Sequence, residues 1–283
     1  MRLYGVVDSK GNQNLAIQSG VDYYLASPEL IPGRLPEWIG RVDFGEFIHQ
    51  ALPITKQEFQ KLSLIAPIRK VEKLICIGKN YAEHAREMGG DPPEKPVVFS
   101  KFNSAISNPN QDIALPSISQ KVDYEAELVV VIGKAGRNIS QDQALNHVFG
   151  YCCGNDISAR DIQNVCSAVK CLIGKTIDSF APIGPFILTA DEVGDPGNLN
   201  IRLRLNGTVM QDSNTENLIF PIDFLIAHIS KFVTLQPGDL LFTGTPPGVG
   251  AGRKPPVFLK PGDQVEVEIE KLGVLANRMV APN

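Results

Sequence analysis

The sequence predicts an α+β protein that is mostly β, with a mixed β-sheet rolled on itself and a small β-rich unit before it. Short apolar or alternating runs, bounded by glycine and proline turns, recur along the chain, as is typical of strands. Few segments show a helical period, and the strands are spaced irregularly. These two features argue against a doubly wound parallel sheet, in which strands and helices alternate.

The composition is ordinary for a globular protein of one large domain, or of one large and one small domain. The chain has 283 residues, of which 43% are hydrophobic and 20% are charged. Its formal net charge of −4 argues against binding to a nucleic-acid backbone, which needs a basic face. The sequence contains no run of about 18 apolar residues, so no membrane span is predicted.

The cysteines and the start of the chain together predict a cytoplasmic protein. Met1–Gly5 lacks the apolar core of a signal peptide. The cysteines are odd in number and in no metal-binding spacing, which favours reduced thiols. They are Cys76, Cys152, Cys153, Cys166 and Cys171.

Residues 1–68 are predicted to form the small N-terminal β-rich domain. Arg2–Asp8 and Asn14–Gln18 have the pattern of two strands joined by a turn. Prolines then interrupt a loop-rich segment, in which one short helix is expected near Glu46–Ala51. The extended run Ile65–Ile68 is the expected linker to a second domain, residues 69–283.

The second domain is predicted to be rich in strands, with one clear helix. The pair Asn206-Gly207 is a strong signal for a two-residue hairpin turn. Apolar residues follow one face of a helix over Pro221–Phe232. The predicted strands are Lys73–Gly78, Pro96–Phe99, Tyr124–Ile132, Phe149–Cys153, Phe186–Thr189, Ile201–Leu205, Thr208–Gln211, Leu240–Thr243 and the alternating run Val265–Ile269.

Two glutamates on one predicted strand are the most informative feature of the chain. Side chains of a strand alternate between faces, so Glu125 and Glu127 point the same way, roughly 6–7 Å apart. The apolar run Leu128–Ile132 that follows indicates an interior strand. Two neighbouring carboxylates at the start of this strand repel each other, so both stay ionised at low free-energy cost only if a cation lies between them. Ligation by oxygen atoms alone favours Mg²⁺, Mn²⁺ or Ca²⁺ over zinc. The alternative is a pair of solvated glutamates.

A second concentration of polar residues lies at Gly78–Gly90. Asn80 is expected to cap a short helix there, as part of a capping box. His84 and Glu87 are three residues apart and therefore adjoin on that helix. A carboxylate beside an imidazole raises its basicity, which suits a general base acting on water. The alternative is an exposed pair on a surface helix.

Polar residues later in the chain are further candidates. Asp156 follows an apolar strand, where it either supplies a third metal carboxylate or caps a turn, and Gln163 could reach the same place. Lys175 is either a positioned charge or a surface lysine, since the glycine spacing of a phosphate-binding loop is absent. The glycine-rich run Thr243–Gly250 either approaches a ligand closely or is a tight structural loop.

Six motifs in order resemble the fumarylacetoacetate hydrolase family, from about Lys73 to the end of the chain. They are Gly78-Lys79-Asn80-Tyr81-x-x-His84, Asp123-Tyr124-Glu125-Ala126-Glu127-Leu128, Asn155-Asp156-x-Ser158-Ala159-Arg160-Asp161-x-Gln163, Gly207 to Thr215, Pro237-Gly238-Asp239 and Thr243-Gly244-Thr245-Pro246-x-Gly248-Val249-Gly250. The N-terminal unit resembles the variable extra domain of many members. The chain departs from many members in lacking a tryptophan near Lys175, because its only tryptophan is Trp38.

The resemblance implies a catalytic domain of fumarylacetoacetate hydrolase type that acts on a small 2-oxo or β-dicarbonyl acid. Members bind Mg²⁺ or Mn²⁺ through residues that match Glu125, Glu127 and Asp156. The water-activating histidine and its acid match His84 and Glu87. The expected reaction is hydrolysis of a C–C bond in a 2,4-dioxo acid, such as an acylpyruvate or a diketo sugar acid, by water attack and enolate stabilisation.

The resemblance implies further roles and leaves alternatives. The lysine that holds the developing negative charge matches Lys175, and members contact substrate oxygens at positions matching Lys101, Gln163 and Thr245. An oxaloacetate-type decarboxylase, or a related lyase or isomerase, would use the same site. The non-enzymatic alternative is a protein that binds a small acid through a metal. Members are often dimers, so a homodimer is expected.

Overall fold

The computed structural model of the protein describes residues 1–26, 39, 47–163 and 172–282. Within them the chain is mostly β, as predicted, with short helices between strands. The helix expected near Glu46–Ala51 lies partly outside the described residues. In the described part of that segment, Phe47 and Ile48 are helical. Cys166 and Cys171 lie outside the described residues.

The strands and helices follow one another in an irregular order along the described residues. The strands are β1 (Arg2–Val7), β2 (Gln13–Ser19), β3 (Asp22–Ala26), β4 (Leu52–Ile54), β5 (Ser63–Ile65), β6 (Leu74–Gly78), β7 (Val97–Ser100), β8 (Ile106–Ser107), β9 (Asp112–Ala114), β10 (Val122–Asp123), β11 (Ala126–Ile132), β12 (Val148–Asn155), β13 (Ser158–Ala159), β14 (Ala181–Thr189), β15 (Asn200–Leu205), β16 (Thr208–Asn214), β17 (Leu240–Phe242), β18 (Gln264–Ile269) and β19 (Gly273–Val280). The α-helices are α1 (Lys56–Phe59), α2 (Ala82–Glu87), α3 (Arg160–Gln163), α4 (Leu172–Lys175), α5 (Ala190–Val193) and α6 (Ile222–Ser230). Short 3₁₀ turns cover Asn103–Ala105, Gln141–His147, Thr215–Asn217 and Gly250–Gly252.

The larger sheet runs through both halves of the chain. Its strand order is β4-β3-β2-β1-β14-β12-β11-β17-β6-β7, with β5 beside β1 and β8 beside β14. Strand β1 joins β14 in antiparallel register, with Arg2 opposite Leu188. The N-terminal strands therefore continue the sheet formed by later strands, and the domain division at residue 68 stays a prediction.

Strand β11 lies between β12 and β17, and all seven of its residues are buried. Because successive side chains face opposite sides, Leu128 and Val130 pack into one hydrophobic core while Val129 and Val131 pack into another. Burial on both faces is the reason for the continuous apolar run in its sequence. Fully burying such a side chain stabilises the fold by roughly 1.5–3 kcal/mol, so this strand is a rigid base for the polar residues at its start.

The smaller sheet has the order β16-β15-β18-β19-β9 and shares a core with one face of β11. Its hairpin turn forms as predicted, with positive φ values of 51° at Asn206 and 79° at Gly207. The pairing of β15 with β16 shifts register between Leu203 and Arg204, so Met210 is the extra residue of a β-bulge. That bulge changes the direction of the next side chain, at Gln211.

The capping box expected at Asn80 does not form. Helix α2 follows Tyr81 and has no side-chain cap. The Asn80 amide is instead buried: it accepts from Phe220 N at 2.9 Å and donates to Phe220 O at 3.1 Å and Thr243 O at 2.8 Å. The prediction was wrong because distant backbone groups, which a local pattern does not show, compete successfully for this side chain. Asn80 thus ties the start of α2 to the end of β17.

Candidate metal and catalytic site

The strand that carries the two glutamates is interrupted. Strand β10 ends at Asp123 and β11 begins at Ala126, so Glu125 lies outside both. The backbone N–H of Glu125 donates to Asn155 Oδ1 at 2.9 Å, and Asp156 N donates to Glu125 O at 2.9 Å. The expectation of one continuous strand was wrong here, and these two bonds hold Glu125 beside Asp156 at the end of β12.

The three predicted metal carboxylates form a cage. Each of Glu125, Glu127 and Asp156 offers an oxygen, and these oxygens all lie within 4.8 Å of one another. All three side chains are buried. A set of three hard anionic oxygens in a space of this size suits Mg²⁺ or Mn²⁺ and also Ca²⁺. The donor set therefore fits the metal that the sequence predicts.

Three buried cations surround the cage. Lys175 Nζ contacts Glu125 Oε2 at 2.5 Å and Asp156 Oδ2 at 2.7 Å. Lys101 Nζ contacts Asp156 Oδ1 at 2.5 Å, and Arg160 Nη2 contacts Glu125 Oε1 at 2.7 Å. Such pairs hold the carboxylates in a fixed geometry, since breaking one would leave a buried charge without its partner.

The two glutamates of the cage differ in acidity. Burial raises the pKa of Glu125, but Lys175 and Arg160 more than offset this and lower it to about 2. Burial raises the pKa of Glu127 well above its usual value, and Asp156 and Glu125 raise it further. Glu127 is thus the carboxylate that most lacks a compensating positive charge, as expected of a residue that shares a cation when one is bound.

A glycine loop touches the cage through its backbone. Gly244 N donates to Glu127 Oε2 at 2.7 Å. Gly244 has a φ of +102°, and a Cβ there would lie 2.7 Å from the Cβ of Asn80, so a side chain does not fit. The backbone of the loop therefore closely approaches the Glu127 carboxylate, and its approach to a ligand stays a prediction.

His84 and Glu87 form the predicted pair. His84 Nδ1 lies 3.2 Å from Glu87 Oε2, and His84 is buried. Glu87 Oε1 accepts from Gly248 N at 2.9 Å, so the glycine loop also positions the acid of the pair. No described residue hydrogen-bonds His84 Nε2, which leaves that atom available to a ligand or water. His84 is close enough to the cage to lower the pKa of Glu125.

The two lysines of the site differ in their remaining hydrogen-bonding capacity. Lys101 Nζ uses all three donors, on Asp156 Oδ1, on Ile157 O at 3.3 Å and on Phe180 O at 2.5 Å. Lys175 Nζ uses two, so within the described residues one N–H has no protein acceptor. A substrate contact at Lys101 would require one of its bonds to break, whereas Lys175 can donate to a substrate oxygen without any loss.

The other two predicted substrate contacts lie beside the cage. Gln163 Oε1 accepts from Arg160 Nη1 at 3.3 Å, and Arg160 in turn holds Glu125. Thr245 is buried directly after the loop residue that bonds Glu127. The structure thus brings every predicted site residue to one region; their roles toward metal and substrate stay predictions.

Three residues of this region had no role in the sequence analysis. Arg160 and Asp123 lie within the family motifs, and Asp123 accepts from Arg160 Nε at 2.9 Å and from Gly250 N at 2.7 Å. Gln211, on β16, accepts from Ala126 N of β11 at 2.9 Å and so joins the two sheets. The only signal in the sequence was their place inside matched motifs, because an arginine, an acid or an amide alone is usually a solvated surface residue.

Among the described residues, no helix is long and apolar enough to cross a membrane.

Comparison with known proteins identifies the class of protein. Residues 73–280 match the family model described as Fumarylacetoacetate (FAA) hydrolase C-terminal. The chain belongs to this family, and the fold class expected from the resemblance is confirmed.

Two relatives show which members of the family the chain is similar to. A Xenopus laevis protein named Oxaloacetate tautomerase fahd2, mitochondrial, is 52% identical over 219 residues, covering 77% of this chain and 69% of the relative. A Homo sapiens protein named Oxaloacetate tautomerase FAHD2A, mitochondrial, is 48% identical over 220 residues, covering 78% and 70%. The expectation of a cytoplasmic protein is contradicted, because these relatives are mitochondrial and a signal-peptide argument does not test for that compartment.

Solved structures agree with the fold over the whole chain. A Mycobacterium smegmatis protein solved under the name HpcE has a TM-score of 0.88 at 36% identity, covering all of both chains. Maleylpyruvate hydrolase from Sphingobium, solved with manganese(II) and pyruvate, has a TM-score of 0.81 at 28% identity with the same coverage. Enzymes of this fold thus include one that binds Mn²⁺ and a 2-oxo acid.

Proposed function

We propose that the protein is a divalent-metal-dependent enzyme that interconverts the keto and enol forms of an oxaloacetate-type 2-oxo acid. The observation that carries the proposal is the buried carboxylate cage beside the His84–Glu87 pair, in a chain about half identical to oxaloacetate tautomerases. This is the isomerase alternative of the sequence analysis, and the relatives favour it over C–C bond hydrolysis.

Glu125, Glu127 and Asp156 would hold the cation, and Mg²⁺ or Mn²⁺ is the proposed ion. When bound, the cation supplies electrophilic stabilisation of negative charge on a substrate oxygen. When all of them are ionised, the carboxylates of this region, those of the cage with Asp123 and Glu87, outnumber the three buried cations by two. A divalent ion would balance that excess, and Lys175, which has one N–H without a protein acceptor, would then attract an anionic acid.

His84 is the proposed base. Enolisation removes a proton from C3 of the keto acid while the electron pair moves to the C2 oxygen. That oxygen then takes a proton from water to give the enol, and the base releases its proton to water. Glu87 holds Nδ1 of the imidazole, so Nε2 is the atom that takes the proton and returns it in the reverse direction. Because Gly248 N fixes the other oxygen of Glu87, the imidazole is held in place before substrate arrives.

Lys175 and Lys101 have different proposed roles. The pKa of Lys175 is lowered by burial, but Asp156 and Glu125 raise it above its usual value, so the ammonium stays charged. Its remaining N–H can donate to the enolate oxygen, where preorganised charge stabilisation is usually a large part of catalysis. Lys101, with all its donors used by the protein, orients Asp156.

Hydrolysis of an acylpyruvate is the second candidate, because a maleylpyruvate hydrolase has the same fold. It would use His84 to activate water instead of deprotonating carbon. Decarboxylation of oxaloacetate needs the same enolate stabilisation but no base. The three reactions differ in product: an enol with no loss of carbon, pyruvate with a second acid, or pyruvate with carbon dioxide.

The test is a product assay on the purified protein with Mg²⁺ or Mn²⁺. Enol-oxaloacetate is added and its ultraviolet absorbance followed, while pyruvate and carbon dioxide are measured in the same sample; acylpyruvates are assayed in parallel. Loss of enol without pyruvate supports the tautomerase. Release of pyruvate at the same rate as enol loss contradicts it, and metal-dependent binding without any turnover indicates a non-catalytic binder. The expected homodimer is checked separately by light scattering.

A further inference from the structure

Gln211 joins the strand of the metal carboxylates to the loop that carries Thr245. It lies on β16 of the smaller sheet and is 1% exposed. Its Oε1 accepts from Ala126 N at 2.9 Å. Its Nε2 donates to Thr245 Oγ1 at 2.8 Å and to Pro246 O at 2.7 Å. Since Ala126 separates the two glutamates of the cage, one amide side chain spans the cage and the neighbouring loop.

The β-bulge at Met210 explains why this side chain points inward. The neighbours of Gln211 on β16 are exposed or half-buried, and it alone is buried in that strand. A bulge adds one residue to a strand and re-aims the side chain that follows. Arg253 Nη2 donates to the Met210 carbonyl at 2.6 Å, so the bulged backbone is itself held in place.

The orientation of the Gln211 amide is determined by two hydrogen-bond partners, one of which can only donate and the other only accept. The backbone N–H of Ala126 can only donate, so the atom facing it is the amide oxygen. The carbonyl of Pro246 can only accept, so the atom facing it is the amide nitrogen. The second N–H of that nitrogen therefore points at Thr245 Oγ1, which must accept it.

A threonine hydroxyl that accepts through one lone pair must direct its own hydrogen elsewhere. Within the described residues, the Thr245 hydroxyl has no protein acceptor for that hydrogen. Thr245 directly follows Gly244, whose N–H bonds Glu127, so the loop that carries the hydroxyl contacts the cage. A buried donor without an acceptor is costly, and a ligand oxygen would satisfy it.

We infer that Gln211 is a positioning residue that makes the Thr245 hydroxyl an obligate donor, and so selects a carboxylate or carbonyl oxygen of the substrate at that point. The inference rests on the proposed function, because it takes Thr245 as a substrate contact. If a ligand presented an N–H or O–H there, it and the Thr245 hydroxyl would both be donors, and no hydrogen bond would form between them. Gln211 thus contributes to specificity for 2-oxo acids without touching them.

The test is a double-mutant cycle with pyruvate as the probe, in the presence of Mn²⁺. Gln211→Glu keeps the shape and the acceptor for Ala126 N, but its second oxygen accepts the hydroxyl hydrogen of Thr245. Thr245→Val removes the hydroxyl. Each single change is expected to weaken pyruvate binding roughly 10–100-fold, and the double variant to bind within about threefold of Thr245→Val alone. Calorimetric titration measures pyruvate and Mn²⁺ affinity, and thermal unfolding checks the fold.

The outcomes separate the inference from the proposed function. The inference is overturned if Gln211→Glu weakens pyruvate binding equally in the wild type and in Thr245→Val. It is also overturned if either single change leaves pyruvate binding unchanged. Neither result would contradict the proposed function. A wild-type protein that fails to bind pyruvate with Mn²⁺ overturns both. If Gln211→Glu does not fold, Gln211→Met replaces it: removing the N–H lets the hydroxyl turn, so pyruvate binding weakens only when Thr245 is present. A loss that persists without the hydroxyl overturns the inference.

Discussion

The raised pKa of Glu127 makes the stability of the metal-free protein depend on pH. A carboxyl whose pKa in the folded state exceeds its ordinary value of 4.5 binds a proton more tightly when folded. Its contribution to stability is therefore complete below that value and is lost as pH rises through the folded pKa. Glu125, whose pKa is lowered to about 2, has the opposite effect: its contribution to stability is lost as pH falls, and only below the ordinary glutamate pKa of 4.5. Above about pH 5, Glu127 is the cage glutamate that changes stability.

The magnitude follows from proton linkage. One proton difference changes the free energy of unfolding by about 1.4 kcal/mol per pH unit, so the metal-free protein is expected to lose at most that amount for each pH unit above about 5, until the pH passes the folded pKa of Glu127. Glu127→Gln keeps the shape of the side chain but has no proton to lose, so this part of the pH dependence disappears. Mn²⁺ reverses the loss in the wild type, because the ionised carboxylate then has a cation.

Urea unfolding in the presence of a chelator, followed by circular dichroism at several pH values, measures the effect. The quantity compared is the difference between wild type and Glu127→Gln, which cancels the titration of other groups. Glu94→Gln is the matched control, since Glu94 is exposed and lies far from the cage in the sequence. Parallel pH curves for wild type and Glu127→Gln would refute the reasoning.

Three further predictions concern catalysis and metal binding. His84→Ala should lower turnover about 10²–10⁴-fold while Mn²⁺ affinity by titration stays the same; turnover near wild type would exclude His84 as the base. Glu125→Ala should weaken Mg²⁺ and Mn²⁺ binding, because the cage loses one of three anionic ligands, whereas the exposed Glu94→Gln should not; equal affinities would show that the ion binds elsewhere. Lys175→Met should reduce kcat by about 10²–10³-fold, since one donor to the developing charge is worth on the order of 3–4 kcal/mol, and a loss confined to KM would instead indicate a role in binding alone.

Local patterns predicted much of the fold because the physics behind them is local. Strand β11 is apolar throughout because it is buried on both faces, and the Asn206-Gly207 turn follows from the positive φ that both residues tolerate. The helix expected over Pro221–Phe232 forms as α6, since its apolar residues recur with the helical period. The capping box at Asn80 failed because its amide found backbone partners 140 and 163 residues away.

By itself, the sequence determined the β-rich class, the family and the candidate acids and bases, since these depend on residue type, period and the order of short motifs. Only the tertiary structure decided which cation holds which carboxylate, that Lys101 has no donor left, and which way the amide of Gln211 points. Those contacts join residues 55 or 85 positions apart, such as Lys101 with Asp156 and Ala126 with Gln211. The physical reason is that hydrogen-bond direction and charge pairing depend on sheet order and strand register, which are set only when the distant segments pack together.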